Sequence, residues 1–270
     1  MLTREDPFYS SKFSINRGKQ RTLDFSKSAR GFVESNPYAF VSEVDPDSNY
    51  EVHKIKMVKP MPESIEGEAV EAANHLRSAL DQAMFAIGGK GAYFPIAHNL
   101  SDFEKGVKGR CKNIPVEITD IVRRFKPYRG GNDLLWALNE VANTQKHGVI
   151  VPIAMQPVSV RSGNISISRH TGENGPILIG KSPVWDFVKN EMEVNRFPLG
   201  VKYVMEANPE MTYFIAMHGI PIVERKDAVT ILNAFVGIVE NIVMALEVEA
   251  IRLRLVQMFD SHLSSFKGKQ

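Results

Sequence analysis

Asn74-His75-Leu76-Arg77-Ser78-Ala79-Leu80-Asp81 is the stretch that decides the fold of this 270-residue chain. It lies inside a longer segment in which Ile65, Ala69, Ala72, Ala73, Leu76, Ala79, Leu80, Ala83, Met84 and Ile87 recur every three or four residues. That spacing marks one face of an α-helix, which turns once in 3.6 residues. Ser64 supplies an N-cap oxygen and Gly88-Gly89 a C-terminal stop, so a helix is expected over 62–88. Asn74, Arg77, Ser78 and Asp81 share one flank of the apolar face, and His75 falls on the other flank. Ionisable and amide groups beside a buried face are unfavourable unless they pair or bind something.

A second segment has the same character. Leu134, Leu135, Leu138, Val141 and Ala142 form an apolar face, with Asn132 as N-cap and Gly148 as stop, which predicts a helix over 131–147. Trp136, Asn139, Asn143 and His147 line one flank, with Lys146 beside them. If the two helices pack together, Arg77, Asp81, Asn143, Lys146 and His147 converge on one small polar site, the candidate catalytic set. Trp136, Asn139, Tyr128, Asn74 and His75 surround it as candidate ligand-binding residues.

Outward from these helices the texture changes twice. Residues 10–35 are basic and polar, and a helix is expected in their second half, ended by Pro37. Tyr38–Val44 and Tyr50–Val58 read as strands joined by the turn Asp45-Pro46-Asp47-Ser48-Asn49. Lys54 and Lys56 share a face of the second strand, expected to be wet. Ser101-Asp102-Phe103-Glu104 has capping-box spacing and opens a short helix, and 115–124 suggests another. From 149 to 217, short β-like runs at 149–153, 164–168, 177–179, 192–194, 201–205 and 212–216 predict an antiparallel sheet of five or more strands, which the early hairpin could join.

The segment 224–262 reads as one long helix, or two with a break near Gly237; unbroken it would span about 57 Å at 1.5 Å per residue. Its first half is apolar nearly all round, as expected of a central helix or a subunit interface. The fold class is therefore α+β: helices near 62–88, 131–147 and 224–262 beside an antiparallel sheet. The expected division is 1–36 as a basic helical segment, 37–148 as hairpin plus helices, 149–221 as the β region and 222–270 as the C-terminal helix, all in one integrated domain.

A net charge of +2 does not by itself argue for nucleic acid. The distribution says more: Lys105, Lys108, Arg110, Lys112, Arg123, Arg124, Lys126 and Arg129 are opposed within their stretch only by Glu117 and Asp120. This is a solvated surface or a phosphate-attracting patch. The single Cys111 excludes an intrachain disulfide, and there is no CxxC pair. Met1–Pro7 has no apolar core of a signal peptide, and acidic residues interrupt the most apolar stretch, 234–251. A cytoplasmic bacterial protein with no membrane contact is expected. One His with one Asp does not make a zinc site, and GxSxG, phosphate-loop and GxGxxG patterns in strand–helix context are absent, so no metal and no cofactor are expected.

Asn36-Pro37-Tyr38, Gly67 followed by the run from Asn74 to Gln82, Phe94-Pro95-Ile96, Lys126-Pro127-Tyr128, and Asn139 followed by Gln145-Lys146-His147-Gly148 form a longer pattern. Over about residues 20 to 150 the chain resembles a widespread family of uncharacterised bacterial proteins reading HNLRSALDH, FPI, QPY and LNxxDKHR. It departs where the family has His-Asn (Asn74-His75 here), a second His (Gln82), an Asp (Gln145) and an Arg (Gly148). If those groups carry chemistry in the family, this chain has altered it. The two helices are also loosely similar to the HEPN group of helical RNA-cutting toxins, although no Arg-x4-6-His site stands in this chain.

Three functions stay open at this point. One is a non-catalytic module whose polar stripes hold helices in register and whose partner is another protein or a second copy, most simply a homodimer. The second is a HEPN-like RNA-binding protein or metal-independent ribonuclease of stress or phage-defence type. There His147 would be general acid/base, Arg77 and Lys146 would hold the phosphate, and the basic stretch would steer RNA. The third is a small-ligand pocket lined by Trp136, Tyr128 and the polar stripe.

Overall fold

A computed structural model describes residues 5–144, 153–160, 178–179, 185–186, 189–200 and 211–256. The protein is α+β. Its elements in chain order are α1 (Tyr9–Glu34), β1 (Tyr38–Val44), β2 (Tyr50–Met57), α2 (Glu63–Gly88), α3 (Leu100–Arg110), α4 (Val116–Arg124), α5 (Asp133–Thr144), β3 (Ile153–Val160), β4 (Leu178–Ile179), β5 (Trp185–Asp186), β6 (Glu191–Pro198), β7 (Met211–Met217) and α6 (Ala228–Arg252). They divide into a helical unit, Met1–Ser26, Ser64–Pro152 and Met217–Gln270, and a sheet unit, Lys27–Glu63 and Ile153–Ala216. The expected strands at 164–168 and 201–205 lie outside the described residues.

In the helical unit, α2 buries nine of its ten expected apolar positions together with Val70; Ile87 is half-buried. Each fully buried Leu or Met on this face contributes roughly 1.5–3 kcal/mol of transfer free energy. The helix α1 begins earlier than its apolar residues suggest, because the face it turns to α2 is made of small and polar residues. Ser11 Oγ donates to Ala79 O at 2.8 Å, and Ser14 Oγ donates to Gln82 Oε1 at 2.8 Å. A Cβ on Gly18 would meet Leu76 at 2.8 Å. The two helices thus lie antiparallel and close, with hydroxyls satisfied on the opposite helix rather than by water. Two ion pairs, Lys12–Glu247 at 2.6 Å and Lys19–Glu240 at 2.5 Å, link α1 to α6, also in antiparallel order.

The helix α6 is shorter than expected. Asp227 caps its start, its Oδ1 accepting from Thr230 N at 2.7 Å, and the helix runs through Gly237 without a break. It stops at Arg252 because Arg254 adopts φ +58° and Leu255 N–H bonds back to Ala250 O at 2.9 Å, a left-handed cap built without glycine. Residues 257–262 of the expected helix lie outside the described residues. Among the described residues α6 is the one helix with the length and hydropathy of a membrane span, with a mean hydropathy of 1.9 over its most apolar window. Ten of its residues are buried, from Ala228 to Ala250, across a face wide enough to serve as the core of this unit. The start of α3 also differs: Asn99, not Ser101, is the N-cap, its Oδ1 accepting from Asp102 N at 2.9 Å.

In the sheet unit, the strand order is β1-β2-β6-β4, all antiparallel, with β5 also paired to β6. The early hairpin therefore does join later strands. The strands β3 and β7 pair separately, so the described strands form two sheets where one was expected. A bulge between His53 and Lys54 shifts the β2–β6 register. One face of the larger sheet packs Ile55, Trp185 and Met192, with Tyr38, Met57 and Val194 around them. The opposite face carries Glu43, Lys54, Lys56, Glu191, Glu193 and Arg196.

Candidate functional site

Arg77 sits on α2 one turn before Asp81, so an i,i+4 ion pair is the first thing the helix geometry allows. It forms: Arg77 Nη1 donates to Asp81 Oδ1 at 2.7 Å. The guanidinium does more. Its Nε donates to Asn139 Oδ1 on α5 at 3.1 Å, and its Nη2 donates to the Phe94 carbonyl at 2.9 Å. Asp81 Oδ1 also accepts from the Phe94 N–H at 3.0 Å. Arg and Asp together hold both backbone polar groups of Phe94, whose ring is fully buried. The planar fork of Arg suits this task, since three directions are engaged at once. The Arg77 side chain is 15% exposed and that of Asp81 30%.

Of the expected catalytic set, the structure brings Arg77 and Asp81 together. Asn143 is half-buried one turn beyond Asn139 on α5. Lys146 and His147 lie outside the described residues. Among the candidate ligand-binding residues, Asn139 belongs to the Arg77 network. Trp136 is buried, its Nε1 donates to His98 Nδ1 at 3.2 Å, and the Arg129 guanidinium lies 5.2 Å from its ring. Tyr128 is half-buried against Phe103, with ring centroids 5.6 Å apart. Asn74 and His75 are half-buried on α2. Burial lowers the His75 pKa; the nearby Arg17 and Arg21 lower it too, and Glu71 opposes them. His75 therefore belongs to the α1 side of α2 and Arg77 to the α5 side.

The basic stretch is partly neutralised. Arg123 donates to Glu104 at 3.2 Å and to Asp120 at 3.0 Å, and Lys105 pairs with Asp102 at 3.1 Å. Asp102 and Glu104 lie just before the counted stretch, which is why the sequence count understated the acid. Lys108, Arg110, Lys112, Arg124, Lys126 and Arg129 are exposed. Cys111 is buried; its thiol lies 3.8 Å from the Tyr93 carbonyl, and burial pushes its pKa up to about 11. A thiol held that high is no thiolate nucleophile near neutral pH.

The sheet unit holds a second polar cluster that periodicity placed on one face without revealing its partners. Lys54 Nζ donates to Glu43 and to Glu191, each at 2.9 Å, and Lys56 pairs with Glu43 and, at 3.3 Å, with Glu191. The Lys54 side chain is only 18% exposed, so this face is not simply wet. Lys56 first, then Lys54, hold the Glu43 carboxyl down to about 2. Arg196 bridges Glu193 and Asp45 nearby. Glu43, Asp45, Lys54, Glu191, Glu193 and Arg196 line a cavity of about 360 Å³ and are paired among themselves or with Lys56. Among the described residues no group of three His, Cys, Asp or Glu is placed to hold a metal.

No protein-family model matches this sequence, and no curated protein or solved structure is detectably similar to it.

Proposed function

We propose that this chain is a non-catalytic module that self-associates through the outer face of α6, most simply as a homodimer in the cytoplasm. The observation that carries the reading is an apolar stripe facing solvent. Met244 is 59% exposed, Val248 62% and Leu255 39%, with half-buried Ile251 between them. Met244, Val248 and Ile251 repeat at four and three residues on α6 and so form one ridge, and Leu255 follows beyond the helix's left-handed cap. Scattered exposed apolar residues need no explanation, whereas an aligned row marks an interface. Two-fold pairing of the same ridge on two copies needs no second partner chemistry.

The Arg77 network supports the same reading. A guanidinium waiting for a substrate phosphate keeps its donors open, whereas this one commits three of its five N–H groups, one each on Nε, Nη1 and Nη2, inside the protein. The role that fits is a clamp fastening α2, α5 and the Phe94 segment. The ribonuclease reading would leave only the second N–H of Nη1 and of Nη2 to meet a phosphate beside His147.

The test is mass in solution by sedimentation equilibrium. A dimer is expected for the natural chain and a monomer for Met244→Glu/Val248→Glu with its fold intact. A monomeric natural chain at tens of micromolar would refute the proposal.

A further inference from the structure

A small basic recess lies in the helical unit, and its lining shares no residue with the Arg77 network or the α6 ridge. The turn after α2 and the turn after α3 form its walls: Gly88, Lys90, Gly91 and Ala92 on one side, Arg110, Lys112, Asn113 and Ile114 on the other. Gly88 is what lets the turns meet, since a Cβ there would come within 2.7 Å of Ile114. The recess holds about 200 Å³. That is below the range of drug-sized pockets and suits a single small group whose remainder stays in solvent.

Its chemistry is one-sided. Three cations, Lys90, Arg110 and Lys112, line it, and no carboxylate does. None of the three makes an ion pair with another described residue. The plain explanation is that they complement the negative C-terminal ends of α2 and α3, both of which reach the recess. Each helix end carries about half a unit of negative charge, so two ends offset about one of the three cations. About two positive charges remain uncompensated.

The backbone adds donors. Along Gly89 (φ +70°), Lys90 and Gly91 (φ +94°) the sign of φ alternates, the arrangement in which successive N–H groups converge on an anion. The N–H of Gly89 bonds to Phe85 O and that of Ala92 to Gly89 O. Those of Lys90 and Gly91 reach no described carbonyl, and neither do those of Lys112 and Asn113 across the recess.

We propose that this recess binds a single phosphate dianion, free or as the end group of a small phosphomonoester. Lys90, Arg110 and Lys112 supply the charge, and the 90–91 and 112–113 amides grip the oxygens. The experiment is an amide-resolved NMR titration of the full chain with inorganic phosphate, with potassium chloride of matched ionic strength as control. Saturable shifts confined to 88–92 and 109–114 are expected. Lys90→Gln/Lys112→Gln should weaken the apparent Kd at least tenfold, and Lys90→Gln alone by severalfold. Glycerol phosphate should give the same confined shifts, with a lower Kd than inorganic phosphate if the recess takes a monoester and a higher one if it takes the free anion.

Shifts that match the chloride control, or that never saturate, would overturn the proposal. So would a single-stranded RNA oligonucleotide whose shifts spread from Lys105 to Arg129 and which phosphate cannot displace, because the stretch would then be a backbone-tracking surface. Dissociation of the dimer is not read in this titration, so the two proposals fail separately.

Discussion

The helical unit and the sheet unit each hold a cluster of cations and carboxylates, and the two are built differently. Around Arg77, one guanidinium and one carboxylate close on a neighbouring helix and on both backbone groups of Phe94. Around Lys54, two lysines are shared by two glutamates on a half-open sheet face. The first cluster satisfies the backbone of a buried residue as well as charge, so losing one member leaves a Phe94 backbone group without its partner. The second is side chain to side chain: its Lys54–Glu191 pair is no more exposed than Arg77–Asp81, but each glutamate is shared by two lysines and no backbone group depends on the cluster. Similar charge chemistry therefore makes a fastener in one place and a tuned surface in the other.

The largest expected effect is at the fastener. Asp81→Ala leaves Arg77 without its carboxylate and Phe94 N–H without its acceptor, and should destabilise the helical unit by about 2–3 kcal/mol in urea unfolding. A loss below about 1 kcal/mol would make the two clusters alike. Lys54→Met removes the centre of the sheet cluster while keeping most of its volume. Because Lys56 still pairs with both glutamates, it should cost less than Asp81→Ala, about 1 kcal/mol, read by amide exchange in β2 and β6.

Acid should separate the units further. His53 is buried in the sheet unit beside Phe40 and Phe197, and burial lowers its pKa while Glu51 opposes. Its folded pKa lies below the unfolded value, so the unfolded chain binds the extra proton. The stability it supports is full above about pH 6.5 and declines as pH falls toward its folded pKa. Glu43, held down to about 2, acts in the next window: its contribution is present above the unfolded value near 4.5 and is lost as pH falls from there toward 2. His53→Phe should flatten the first window and leave the second, as followed by sheet-unit amide exchange between pH 7 and 3. The smallest effect expected is that of salt. Raising sodium chloride to 0.5 M should lower sheet-unit protection slightly through the more exposed Lys56–Glu43 pair and leave the Arg77 region unchanged, since partly buried pairs are screened less.

How much of this was legible in sequence follows from what each feature depends on. The core face of α2 and the Arg77–Asp81 pair depend on helix periodicity alone, and both could be read. The early half of α1 was missed because apolar periodicity ignores Ser11, Ser14 and Gly18. Their spacing of three and four residues marks a small-residue seam that could have been noticed. The clasp of Arg77 on Asn139 and Phe94 depends on which helices pack and how a loop returns, information that no local pattern carries. The partners of Lys54 depend on strand register, set by a bulge at His53/Lys54 that nothing in the local composition announces. The end of α6 was overshot because its left-handed cap falls on Arg254 rather than on a glycine.

The most direct test of the account is the unfolding free energy of Arg77→Lys. Lysine keeps the charge, and with it any simple phosphate-attracting role, but cannot reach Asp81, Asn139 and the Phe94 carbonyl with one planar fork. A loss of about 2 kcal/mol, with the remaining fold intact, is the result the clamp predicts. Unchanged or increased stability would contradict it, because residues held for function are often those whose removal relaxes the fold.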